Sequence, residues 1–387
     1  YNVALGYGAL ATEDAHSYNV AIGRSALYSQ NAGADAYNVA IGYYAGVNVS
    51  TSVQNVLIGG EAGDALTTGG YNIAIGFRAL SAEDAHGKNI AIGAEALRVQ
   101  DAGADAYNVA IGFQAGVAVS TGTLNTIVGG LAGDAINTGT GNTLMGYQAG
   151  SAITDGNANI AIGRGCGDAI TSGSDNVAIG QSALGGEDGH GRNVAVGSSA
   201  LNAQNAGADA YNIAVGFETG KSVSTGVENV LMGALAGDAI TTGSQNVALG
   251  KDALSLEDTG SRNVAIGANA LENLNYNGNG YNIAVGYNSG NDVTTGIRNT
   301  FMGGLAGDVL AGGENNTFIG YNTGDLTTAV ETSTFIGSEA GTSANYTGRN
   351  LTCLGYDSQP SAVGASDELT LGSSGVATLR CAVNTIT

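Results

Sequence analysis

The chain of 387 residues contains no Trp, one Pro, three Cys, three His and only 12 Lys and Arg. Each shortage excludes something. Near-absence of Pro, with Gly that does not recur at every third position, excludes collagen. Cys166, Cys353 and Cys381 lie far apart and are odd in number, so they offer neither a metal-ligand spacing nor a disulfide framework. The few basic residues face 33 Asp and Glu, for a net charge of −21. Such a surface repels nucleic acid, whose binding needs Lys or Arg patches, and it weakens any case for adhesion to anionic lipid. No stretch approaches the roughly 20 consecutive apolar residues of a membrane span, so no membrane insertion is expected. Charged residues make up only 12% of the chain, fewer than an ordinary enzyme needs. The 43% hydrophobic content is nevertheless too high for disorder. The first residue is Tyr1 and no signal peptide follows it, which reads as an excerpt or a processed product.

What the chain has is Gly, 65 of them, placed by an internal repeat. The string Asn2-Val3-Ala4-Leu5-Gly6 returns as Asn19-Val20-Ala21-Ile22-Gly23, and its closing Gly recurs 21 times, ending at Gly355. Most steps are 17 residues; four are 19 and the last is 18. Self-similarity of this kind decides the fold before any local propensity does. Numbering one unit from its Asn, slot five is always Gly, slot one is Asn in 19 of 21 units and slot eight is always small. Slots two and four carry aliphatic residues or Thr, whereas slot three is Ala in 13 units and larger and apolar in the rest, as at Leu57, Phe301 and Cys353. Alternation with period two predicts a short strand with two apolar faces. One face should line the chain's own coil and the other should meet a neighbouring chain. Slot three is assigned to the neighbour.

Slots nine and twelve exchange bulk. In seven of eight units Leu at slot nine accompanies Glu or Gln at slot twelve, as in Leu10 with Glu13, while in ten of twelve Gly at slot nine accompanies Val, Leu or Ile, as in Gly46 with Val49. Close-packed interiors tolerate volume-conserving swaps best, so both slots are read as core. The order of the two types repeats after ten units, a period of 174 residues, which reads as tandem duplication of a ten-coil block. Recurrent Asn at slot one should form a ladder of amides along the axis.

These features predict an all-β fold, a parallel β-solenoid or β-roll of about 20 coils stacked roughly 4.8 Å apart. Residues 1–355 form the repeat shaft and 356–387, opened by Pro360, a C-terminal exit or neck. Each chain could coil on itself, or three chains could wind about a shared axis. The four 19-residue units, around Asn31–Asp35, Asp101–Asp105, Asn205–Asp209 and Asn275–Asn279, should place their extra residues in outward loops, because packed slots tolerate no insertion.

The Asn-Val-Ala-Ile-Gly unit resembles the head repeat of trimeric autotransporter adhesins and, more closely, the Asn-x-Ala-x-Gly arrays of bacteriophage tail fibres. The C-terminal strings Glu368-Leu369-Thr370-Leu371-Gly372 and Thr378-Leu379-Arg380-Cys381-Ala382-Val383 resemble the junction that precedes a self-cleaving intramolecular chaperone in phage fibres. The resemblance implies a homotrimeric, extracellular fibre segment of the virion tail. Its partners would be itself, other tail proteins and a host-surface polysaccharide or protein. The alternative is a cell-surface adhesin head of the autotransporter type. A polysaccharide-degrading tailspike would require a catalytic domain outside this sequence.

No catalytic constellation is evident. The three His share one setting, Glu13-Asp14-Ala15-His16, Glu83-Asp84-Ala85-His86 and Glu187-Asp188-Gly189-His190, each followed by a long unit containing Asp35, Asp105 or Asp209. Carboxylates on adjacent coils with an imidazole could hold a divalent cation such as calcium. The alternative is a solvated corner that keeps a weakly charged surface soluble. Glu13, Asp14, His16, Asp35, Glu83, Asp84, His86 and Asp105 are thus the candidate ligands. Thr pairs such as Thr67-Thr68 read as a turn ladder. Tyr belts either stack on each other or offer a platform to sugars.

Overall fold

The computed structural model describes residues 1–13, 17–187 and 189–375. It is an all-β parallel solenoid built from 22 short strands, with no helix among the described residues. Each strand is the middle of the repeat string: β1 (Val3–Leu5), β2 (Val20–Ile22), β3 (Val39–Ile41) and so on to β21 (Leu351–Leu354) and β22 (Glu368–Leu371). Gly at slot five ends each run after three residues. At Gly163, for example, φ is 137° and an added Cβ would lie 2.7 Å from the Gly180 carbonyl oxygen of the next turn. Only Gly permits that backbone and that approach.

The chain divides into two compact units, Tyr1–Tyr211 and Asn212–Thr387. In the first, strands β1 to β12 (Val194–Val196) pair in parallel, each with the next turn of the same chain, as in Ala4↔Ala21 and Ala74↔Ala91. In the second, β13 (Ile213–Val215) to β22 do the same, as in Ala248↔Ala265 and Phe318↔Phe335. Winding is therefore within one chain. The ladder also runs past Gly355: Leu351–Leu354 pairs residue for residue with Glu368–Leu371, inside the stretch read from sequence as the exit. Cys381 and the string from Thr378 lie outside the described residues.

One expectation is reversed. Slot three points into the chain's own interior, not toward a neighbour: Ala40, Ala110, Leu57 and Phe301 are completely buried within the single chain. Slots two and four point out, with Ile111 38% and Met232 45% exposed. The physical reason is volume. A narrow coil has room for Ala at every turn and for a larger group only where something else shrinks. Where Leu57 stands inside, slot nine of its own and the preceding turn is Gly, and a Cβ on Gly63 would lie 2.8 Å from Leu57 Cδ2. Slots nine and twelve are core as expected, with Leu27, Leu80, Val49 and Ile136 fully buried.

The buried Asn residues form a ladder, largely through backbone partners. Asn55 N–H donates to Asn38 Oδ1 at 2.8 Å, and Asn38 Nδ2 donates to the Ser52 carbonyl at 2.7 Å. The second unit repeats the arrangement at Asn229, whose N–H donates to Asn212 Oδ1 at 2.8 Å and whose Nδ2 donates to the Gly243 carbonyl at 2.9 Å. Each amide thus satisfies the ends of two turns, where an unpaired buried group would cost about 1–3 kcal/mol. The two extra residues of the long units do bulge outward. Gly33 and Gly103 have open space around them, and the strands on either side stay in register, Ala21↔Ala40 and Ala91↔Ala110.

Candidate functional site

Slot twelve faces the interior, so in most turns with Leu at slot nine it holds a polar side chain there, the turn of Leu271 and Leu274 excepted. Gln at this slot is satisfied: Gln100 Nε2 donates to the Ser120 carbonyl at 3.1 Å, and Gln100 Oε1 accepts from Asn108 Nδ2 at 2.6 Å. Glu is harder to accommodate. Glu83 is completely buried, and its Oε1 accepts the His86 backbone N–H at 3.0 Å. Among the described residues its Oε2 is buried with no hydrogen-bond partner, as are Nδ1 of the half-buried His86 and Nδ2 of Asn89 on the next turn. The His86 nitrogen lies 3.6 Å from Glu83 Oε1. Burial pushes the Glu83 carboxyl up to about 7, against the opposing pull of the His86 N–H.

Two exposed carboxylates complete the corner. Asp84 is fixed through its carbonyl, which accepts the Thr67 N–H and the Thr67 hydroxyl, the latter at 2.8 Å. Asp101 comes from the following turn, where its N–H donates to the Ser120 carbonyl at 2.8 Å and so sets the start of the inserted loop. Donor atoms of Glu83, Asp84, His86 and Asp101 all lie within 4.8 Å of one another.

The remaining candidates are placed otherwise. Asp105 does not join the corner. Its Oδ1 accepts the Gly87 N–H at 3.1 Å and its Oδ2 takes Lys88 Nζ at 2.6 Å, and Lys88 holds its carboxyl below the ordinary range. Lys88 also reaches the Tyr107 hydroxyl at 3.0 Å and stands 5.0 Å from that ring's centre. Asp35 is used similarly, accepting the Ser17 N–H at 3.0 Å. These aspartates pin the inserted loop to the turn before it. Asp14 and His16 lie outside the described residues, and Glu13 is the only described candidate of that corner. Asp101 belongs to an inserted loop marked in the sequence, but it is not among the candidate ligands named there. The available signal was its position at the first residue of the insertion, directly after the core Gln100.

At the later copies the set thins. His190 N–H donates to Glu187 Oε1 at 3.1 Å and Asn193 Nδ2 to Glu187 Oε2 at 3.4 Å, and Asn205 stands where Asp101 would be. At Glu257 the His is replaced by Gly260 and the Asp by Asn275. There the carboxylate folds onto the backbone: Oε1 accepts Thr259 N–H at 3.2 Å and Gly260 N–H at 2.6 Å, and Oε2 accepts Tyr276 N–H at 3.3 Å.

Elsewhere, Cys166 and Cys353 are buried free thiols, and burial pushes Cys166 up to about 12, which leaves it unreactive. Tyr1, Tyr18 and Tyr37 stack, with ring centres 5.2 and 4.9 Å apart. Slot six displays Tyr7, Tyr43, Phe77, Phe113 and Tyr147 to solvent. Among the described residues no helix is long and apolar enough to cross a membrane. No family model matches the chain, and no curated protein matches it either.

Proposed function

We propose that the chain is a structural and adhesive shaft segment of the bacteriophage tail-fibre kind, which assembles as a homotrimer and works on the outside of the virion. In this reading it joins other tail proteins to a region that meets a host-surface polysaccharide or protein. The observation that carries the reading is the outward row of slots two and four. In nearly every turn of each unit, Val, Ile, Leu or Met stands partly exposed at these slots. Ile111 and Ile160 in the first unit, and Ile213 and Ile283 in the second, are each about two-fifths exposed. An apolar row repeated over so many turns marks association, since monomers rarely display one. Threefold association comes from the resemblance of the repeat to fibre and adhesin arrays. The exposed aromatics at slot six give such a surface stacking groups for sugars.

Light scattering on the native protein tests the reading: a mass of three chains is expected. Replacing Ile41, Ile75 and Ile111 together with Lys should leave the β signal in circular dichroism and reduce the mass to one chain. A wild-type monomer would refute the assembly, and with it the fibre reading.

A further inference from the structure

We propose that Glu83, Asp84, His86 and Asp101 form a binding site for one divalent transition-metal ion of the zinc type. Three carboxylates and one imidazole converge there from two consecutive turns, with donor atoms within 4.8 Å of one another. The site does not rest on acidic crowding. Glu83 is fully buried, and its Oε2 has no hydrogen-bond partner among the described residues. A buried carboxylate oxygen without a partner is costly, and the same carboxylate has a second orphan beside it, His86 Nδ1, 3.6 Å from Oε1, which a cation would satisfy.

The Glu257 corner shows that the fold has another solution. Its carboxylate lies over Gly260, where an added Cβ would sit only 2.6 Å from Oε1. With a side chain at the equivalent position, His86, that folded-back pose is blocked. Glu83 keeps one backbone amide instead of three and retains an unused oxygen. His86 therefore limits the backbone amides that reach the carboxylate and supplies the nitrogen ligand.

The donor set selects the ion. Calcium prefers six to eight oxygens, whereas mixed imidazole and carboxylate sets suit zinc and its neighbours. Four zinc bonds of roughly 2.1 Å place ligands about 3.4 Å apart, so the donors must close by about an ångström. Asp84 and Asp101 are exposed and free to make that movement, while Glu83 is fixed by the core. Asn205 and the Gly260–Asn275 pair make the later corners internal controls. The proposal is independent of the tail-fibre reading.

The test is calorimetric titration of the chelator-treated full chain with zinc, then calcium and magnesium, near pH 7.5, alongside cobalt as a visible-absorption probe of geometry. One zinc per chain is expected, with intense tetrahedral cobalt bands and much weaker calcium binding. Loss of an outer-shell partner alone costs roughly 10–100-fold in metal affinity, so His86→Asn and Asp101→Asn should each weaken zinc at least that much. Asp101 is on the surface, so its variant folds in any case, and circular dichroism verifies both. Absence of saturable zinc binding overturns the proposal. So does zinc binding unchanged in either variant, or calcium binding as tight as zinc.

Discussion

The turns carrying Glu83 and Glu257 stand one 174-residue period apart and solve one problem in two ways. Both bury a Glu at slot twelve behind a Leu at slot nine. Around Glu257, Gly260 leaves room for the carboxylate to turn back, and three backbone amides meet it. Around Glu83 the His86 side chain takes that room, one amide remains and one oxygen is orphaned. The difference teaches that the residue three positions on sets how many backbone amides reach a buried carboxylate. It does not act alone: with His190 at that place, Glu187 Oε2 still accepts Asn193 Nδ2 at 3.4 Å.

The largest effect should come from Glu257→Ala, which orphans the amides of Thr259, Gly260 and Tyr276. At about 1–3 kcal/mol for each unsatisfied buried group, softened by partial access of water, a loss of roughly 3 kcal/mol is expected. Glu83→Ala orphans one amide and removes a buried carboxylate with an unpaired oxygen, so it should cost about 1 kcal/mol. Urea denaturation and amide exchange at residues 259, 260 and 276 measure both. Equal destabilisation by the two variants would break the comparison.

Exchanging the deciding residue comes next. Gly260→His forces a Cβ into the Glu257 carboxylate and should destabilise by about 2 kcal/mol through overpacking. His86→Gly, by contrast, should stay within about 1 kcal/mol of wild type, because further hydrogen bonds from backbone amides to the carboxylate offset the added chain entropy of Gly. A thermal melt that ranks these two in the opposite order would show that the side chain at this position does not control the carboxylate.

Much of this was legible in the sequence. A fixed period, an unvarying Gly and a compensating exchange between slots nine and twelve each have few structural solutions, so the solenoid and most of its core followed. The orientation of slot three did not. A three-residue strand apolar at every position has the same alternation whichever face is inside, and only interior width decides that Ala40 goes in and Ile41 out. Backbone handedness was hidden as well. Leu97 at φ 47°, Tyr37 at 56° and Ser25 at 55° adopt the left-handed conformation that sequence reading reserves for Gly and Asn, at a cost of about 1–2 kcal/mol per residue. Stacking against the next turn supports that cost, and no local signal announces it. The candidate corner was half legible. Its Glu-Asp-x-His string was plain, but whether Asp101 or Asp105 returns to it depends on the path of the inserted loop, and Lys88 captures Asp105.

The smallest effect extends the comparison to turns with Gly at slot nine, whose half-buried carboxylate sits at slot ten. Asp64, Asp134, Asp168, Asp238 and Asp308 occupy it, and burial raises the pKa of each. Asp308 goes furthest, to about 7, through burial first and then through its contact with Asp325 and the nearby charge of Asp292. Among the described residues its Oδ1 is buried without a partner. A carboxyl whose folded pKa lies above its unfolded value favours the folded state when protonated. That contribution is complete below about pH 4 and is lost as pH rises through 7, where the buried group must ionise. Asp308→Asn keeps the shape and removes the titration. The variant should match wild type near pH 4 and gain stability relative to it between pH 5 and 8, by on the order of 1 kcal/mol after solvent screening. Melting temperatures of both proteins across that range provide the measurement. A difference that stays flat with pH would mean that Asp308 ionises as freely in the folded chain as in the unfolded one. The orphan oxygen would then carry no cost, at this corner or by extension at Glu83.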